Sequence, residues 1–259
     1  MVVSGQVAAS KEAFLGVNGM PSEQDLAKSV RKLPSSLTST MKVPGIDMLS
    51  QTGQVIKCVI GHEQQKKWFS FQETFPVMDA QGEPLAGGLY IQEQKQMAGI
   101  QFSRFVMYDA ENKPVCVAKH DGEKPLQRVY FITHTTPMRE TDEPIDKQDD
   151  VNLYPWFKIH DIDDSHLHFR SLLVWNGANY QPMMRVKPVM RRADDPRIGE
   201  LLPPKKTDNL VVDSNDESIV YALLSKKDAR WNLCIAPGTD VAPMIMLGCL
   251  MNDMVGWFA

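Results

Sequence analysis

From about residue 50 onward, apolar residues alternate with polar ones or gather in short runs bounded by Gly, Pro, Asn and Asp. Alternation of this kind places every second side chain on one face of a half-buried strand. It predicts strands near 54–60, 67–78, 85–93, 102–108, 114–119, 126–134, 154–161, 166–175, 180–190, 209–212, 218–224 and 231–235. With about a dozen strands and only short connectors, the expected fold is mainly β, an antiparallel meander closing into a barrel or sandwich. The segment before it reads differently. Residues 1–48 are polar and interrupted by Pro21, Pro34 and Pro44, with one helical signal. Ser22 can cap a helix, Asp25 follows three residues later, and Leu26, Val30 and Leu33 share a face. An arm with a short amphipathic helix (1–48) is expected ahead of a barrel domain (49–259).

A turn phrase recurs between the apolar runs: VMDAQGEPL (77–85), MYDAENKPV (107–115) and VVDSNDESI (211–219), with a degenerate copy HDGEKPL (120–126). In each of the first three, an Asp follows a strand end and an apolar residue comes six positions later. Asp can accept hydrogen bonds from backbone two residues on, and Gly82, Asn112 or Asn215 can adopt the left-handed conformation of a short loop. Asp79, Asp109 and Asp213 are thus turn residues before they are candidates for chemistry. The stretch PMRETDEPIDKQDD (137–150) is acidic and poor in apolar residues, so an exposed excursion between two halves of the sheet is expected.

The final segment, VAPMIMLGCLMNDMVGWFA (241–259), is apolar almost all round, the mark of a helix with no solvent face. Residues 242–258 as a helix would span about 25 Å, short of the roughly 30 Å of hydrocarbon. Asp253 would cost on the order of 2.5–3.5 kcal/mol inside a bilayer. Burial in protein is the expectation, and no integral membrane span is favoured. Pro243 fits only a first helical turn, which Thr239 or Asp240 can cap.

The ending WNLCIAPGTDVAPMIMLGCLMNDM (231–254) resembles the last strand and central helix of the tubby C-terminal-like superfamily, within it the LURP-one-related and phospholipid scramblase families. The likeness lies in the alternation Trp231, Leu233, Ile235, then Pro237, Gly238 and Asp240, then an apolar helix with Gly248, Cys249 and Asp253. The turns at Asp79, Asp109 and Asp213 are similar to the paired hairpins of the LURP-one-related group. The resemblance implies a closed antiparallel barrel of about twelve strands around a buried hydrophobic C-terminal helix. The acidic calcium loop of scramblases does not carry over. The matching segment DARWNLCIAPGTD puts Arg230, Asn232, Cys234 and Thr239 at the oxygen-ligand positions, and calcium needs several carboxylates and carbonyls.

Composition narrows the function classes. The chain has 259 residues, 43% hydrophobic and 23% charged, with a formal charge of -4. That is an ordinary folded protein without the overall basic footprint of a nucleic-acid binder. Cys58, Cys116, Cys234 and Cys249 form no CxxC pair, so reduced thiols are expected rather than a zinc or redox motif. The opening MVVSGQVAAS shows neither a signal peptide nor a myristoylation glycine, so a cytoplasmic protein is expected, and the tubby-like resemblance implies a peripheral position at membranes. No GxSxG, GxxxxGK[ST], HExxH or GxGxxG motif is present, and no catalytic residue, cofactor or metal is assigned. A Cys–His dyad drawn from Cys58 or Cys116 with His62 or His134 has no support in spacing. HDIDDSHLH (160–168) has ligand-like residues, but DIDDS reads as a turn, with His166 and His168 on the polar face of the following strand.

One stretch carries functional weight. MMRVKPVMRRADDPR followed by PPKK holds Arg185, Lys187, Arg191, Arg192, Arg197, Lys205 and Lys206. Arg185 and Lys187 alternate along one strand face, so their heads project together toward a common anion. The tubby branch binds phosphoinositides through basic barrel-wall side chains, and the resemblance implies that Arg185, Lys187, Arg191, Arg192, Lys205 and Lys206 are the counterpart. The alternative is a solvated face neutralised by Asp194, Asp195 and Glu200. The sequence thus points to a non-enzymatic binding or scaffold module for anionic phospholipid headgroups or a protein partner. A scramblase-like transporter inserted by its C-terminal helix, or an enzyme without a recognisable motif, are the alternatives.

Overall fold

A computed structural model describes residues 55–61, 63–67, 70–96, 102–120, 129–135, 137, 140–164, 169–176, 181–188, 191–192, 201–202, 208–227 and 230–255. The predicted arm and its Ser22–Leu33 helix lie outside the described residues. The strands are β1 Ile56–Ile60, β2 Glu63–Lys67, β3 Ser70–Asp79, β4 Tyr90–Gln96, β5 Phe102–Tyr108, β6 Pro114–His120, β7 Val129–His134 and β8 Asp146–Gln148. They continue as β9 Val151–Asp164, β10 Phe169–Asn176, β11 Pro182–Pro188, β12 Arg191–Arg192, β13 Leu201–Leu202, β14 Asp208–Asp213, β15 Val220–Lys227 and β16 Arg230–Ile235. The helix α1 is Val241–Val255.

Twelve strands form a closed antiparallel barrel in the order β1-β16-β15-β14-β11-β10-β9-β7-β6-β5-β4-β3, and β3 returns to β1 through Cys58↔Asp79 and Ile60↔Val77. These twelve are the strands predicted from alternation. The pieces outside the ring are the ones the pattern missed. β2 follows β1 along β3, β8 pairs the start of β9, and β12 pairs β13 in a separate two-stranded sheet.

The lumen is filled by α1. Ile245, Leu247, Cys249 and Leu250 are buried in one cluster with Cys58 and Ile60 of β1, Phe105 and Met107 of β5, and Trp231, Leu233 and Ile235 of β16. Each fully buried Leu, Ile or Met contributes roughly 1.5–3 kcal/mol, so the helix and wall stabilise each other. The evenly apolar sequence of α1 follows from walls on every side of it. Pro243 falls in its first turn, where helical N–H groups have no intrahelical acceptor anyway. Among the described residues no helix is long and apolar enough to cross a membrane.

The repeated turns behave as their Asp residues require. The Asp79 carboxylate accepts from the Gln81 and Glu83 N–H groups, both at 2.9 Å, and Asp109 does the same with Glu111 and Lys113. Gly82 and Asn112 take the left-handed conformation, with φ of 89° and 61°. The third turn closes differently. Asp213 accepts from Asn215 and Asp216 N–H instead, at 2.8 and 3.0 Å, and Asn215 has no positive φ. The HDGEKPL copy lies mostly outside the described residues.

Two expectations need correction. The strand predicted from residue 85 begins at Tyr90, because Leu85–Gly87 forms a tight 3-10 turn with Ala86 at φ 50°. DIDDS is not a turn at its start: β9 runs through Asp161, Ile162, Asp163 and Asp164, held in register against Leu172, Ser171, Arg170 and Phe169. The backbone ladder to β10 outweighs the turn preference of the aspartates there. His166 and His168 are outside the described residues. Where it is described, the acidic stretch is mostly exposed, as expected, and it is also anchored. Asp146 bonds Lys119 Nζ at 2.9 Å and Arg104 Nη2 at 3.1 Å, and Leu153 is buried with Val106, Tyr108 and Val117 on the outer wall.

Candidate functional site

On β11, Met184 and Val186 are buried in the core that packs on α1, so the alternating Arg185 and Lys187 face outward. Their side chains are 40% and 30% exposed. The neighbouring strand β14 pairs them with Val212 and Leu210 and carries the chain into the turn that follows Asp213. That turn is fastened to the start of β11: the Ser214 N–H donates to Met183 O at 3.0 Å, and Ser214 Oγ donates to Pro182 O at 3.1 Å. Asp213 stiffens it further by accepting from Tyr221 Oη at 2.7 Å. Together, burial and that carboxylate push the Tyr221 hydroxyl pKa well up, so it stays a proton donor.

The fastened turn brings Glu217 beside the basic pair. Lys187 Nζ donates to Glu217 Oε2, and Arg185 Nη1 lies 3.9 Å from Glu217 Oε1. One carboxylate therefore sits between two cations, and the three side chains sum to one positive charge. Arg185 Nε is buried and makes no hydrogen bond among the described residues.

Of the six basic residues predicted for an anionic ligand, the structure brings Arg185 and Lys187 together. Arg191 and Arg192 lie on β12, whose strand partner among the described residues is β13, so they do not extend the β11 row there. Lys205 and Lys206 are outside the described residues, as are Asp194, Asp195 and Glu200. The counter-charge that sequence reasoning missed is Glu217. Its only sequence signal is its place in the third turn phrase, and nothing in that phrase reveals that the turn doubles back on β11.

Of the cysteine and histidine candidates, Cys58, Cys116 and His134 resolve into core, and His62 lies outside the described residues. Cys116 and His134 are paired in register across β6 and β7, an adjacency that spacing alone did not reveal. Burial pushes the Cys116 thiol far above its ordinary range and lowers the His134 imidazole to about 4, the latter partly opposed by Asp142. Both groups are neutral, the reverse of the thiolate–imidazolium state of a nucleophile. His134 packs edge-on against Trp156, with ring centroids 5.1 Å apart. Among the described residues, no group of three or more His, Cys, Asp or Glu is arranged to hold a metal ion.

No family model matches the chain, and no curated protein matches it.

Proposed function

We propose that this barrel is a non-enzymatic binding module that recognises phosphate-bearing lipid headgroups through Arg185 and Lys187 on its outer wall, as the likeness to tubby-like proteins implies. The observation that carries the reading is the Glu217 carboxylate between those two cations. Two cations flanking one anion is an arrangement suited to phosphate capture, and a phosphate with more negative charge can replace the carboxylate. The lumen is occupied by α1, which leaves the wall and rims to meet a ligand. Each basic residue near an anionic surface is worth only about 1 kcal/mol, so the pair supports peripheral, reversible attachment. A transporter inserted by its C-terminal helix fits less well, since α1 would have to leave the core it fills.

Flotation of the full chain with vesicles tests the proposal. Vesicles of phosphatidylcholine with a few per cent phosphatidylinositol bisphosphate should carry the protein upward, and pure phosphatidylcholine should not. Recovery should fall as salt rises, because exposed charges are screened over about 8 Å at physiological ionic strength. Equal recovery on both vesicle types, or none on either, overturns it.

A further inference from the structure

Beside the basic pair, the outer wall carries an apolar band that is closed to water. Leu210, Val212, Val220, Leu223 and Ala236 are all buried, with Val55 and Cys234 packed against them. These side chains alternate with Val211, Ala222, Leu224 and Ile235, which belong to the lumenal core, so the band faces outward. In register, one row runs Lys187, Leu210, Leu223, Cys234, Lys57 across β11, β14, β15, β16 and β1. The main packing partners of β14, β15 and β16 among the described elements are their sheet neighbours, with α1 on the lumenal side. Nothing in that set lies across the outer face. Elsewhere the barrel shows what such a face requires: the outer cluster Val106, Tyr108 and Val117 is joined by Leu153 from β9, beside the β8–β9 turn.

We infer that the chain's own N-terminal segment, residues 1–54, docks across this band. Val55, where that segment joins the barrel, already packs against it, so the preceding residues start at its edge. The only amphipathic stripe expected in the segment, Leu26, Val30 and Leu33, suits an apolar face. A helix over Ser22–Leu33 would be about 18 Å long, against about 14 Å from β11 to β16 at ordinary strand spacing. Burial of the band within a single chain favours an intramolecular cover. This inference stands apart from the lipid reading and survives its failure.

Cys234 is a built-in reporter, because it is partly accessible at the band while Cys58, Cys116 and Cys249 are buried. In the full chain, replacing Leu26, Val30 and Leu33 with Ser should raise the maleimide alkylation rate of Cys234 about fivefold or more, since the cover now opens more readily. An unchanged rate in a folded variant overturns the inference. Should that variant fail to fold, a diazirine amino acid in place of exposed Lys57 decides the matter in an otherwise native chain. Photo-crosslinks to peptides within residues 1–54 support the inference. Crosslinks confined to residues 189–207, or to a second copy of the chain, overturn it.

Discussion

Lys187 on β11 donates to the carboxylate of Glu217, thirty residues later in the turn between β14 and β15. The pair makes Glu217 an internal competitor for any anion that approaches Arg185 and Lys187. Glu217→Gln should therefore strengthen binding to phosphoinositide vesicles several-fold, since the double-cation site then lacks its own carboxylate. It should change the melting temperature little, because partly exposed ion pairs contribute about 0–1 kcal/mol. Weaker vesicle binding by a folded Glu217→Gln protein would mean that Glu217 orients the pair instead of competing with the ligand.

Gly248 of α1 faces the wall so closely that a Cβ there would lie 3.2 Å from both Ile60 Cδ1 and Leu233 Cδ2. Gly248→Leu should overpack the lumen and destabilise by about 1–3 kcal/mol or more. Gly248→Ala should cost much less, because the added methyl crowds its neighbours by only a few tenths of an ångström and alanine favours helix. Urea denaturation of both variants is the check, and equal stability for Leu and Gly at this position would contradict a filled lumen.

The strands of the ring were legible because inward and outward residues alternate on nearly all of them, as in Trp231, Leu233 and Ile235 against Asn232 and Cys234. The helix was legible for the opposite reason, its lack of any polar face. Polar segments were harder to read. β2 (EQQKK) and β8 (DKQ) carry no apolar alternation and exist through pairing with β3 and β9. The candidate site was half legible: the spacing of Arg185 and Lys187 predicts their shared face, but Glu217 and the register partners of Cys116 are set by tertiary pairing that no local pattern encodes.

His134 titrates near 6.5 in an unfolded chain and near 4 in the fold, lowered chiefly by burial. Between those values the unfolded chain holds the extra proton. The contribution of neutral His134 is therefore complete above about pH 6.5 and is lost as pH falls toward 4, by up to roughly 3 kcal/mol. Urea midpoints at pH 7 and pH 4.5 should differ clearly in the wild-type chain and differ less in His134→Gln. An identical acid dependence in the two proteins would place the sensitive group elsewhere.

Asp146 ties the acidic excursion to the barrel. Burial opposes its charge, yet the Lys119 and backbone hydrogen bonds, with the charges of Lys119 and Arg104, hold its carboxyl below the ordinary range. Asp146→Asn leaves the half-buried Arg104 without its carboxylate and should cost about 1–3 kcal/mol. Protease cleavage within residues 137–150 should quicken in the variant, and an unchanged cleavage rate would show that Leu153 packing alone secures the excursion.

The most direct measurement is flotation of the Arg185→Glu, Lys187→Glu double variant with phosphatidylinositol bisphosphate vesicles, run beside the wild-type chain at one salt concentration. Both side chains are partly exposed and face away from the core, so the variant should keep the wild-type melting temperature to within a few degrees. A basic-pair site requires vesicle binding to disappear in this folded protein. Undiminished binding would contradict it and place any lipid contact on another part of the wall.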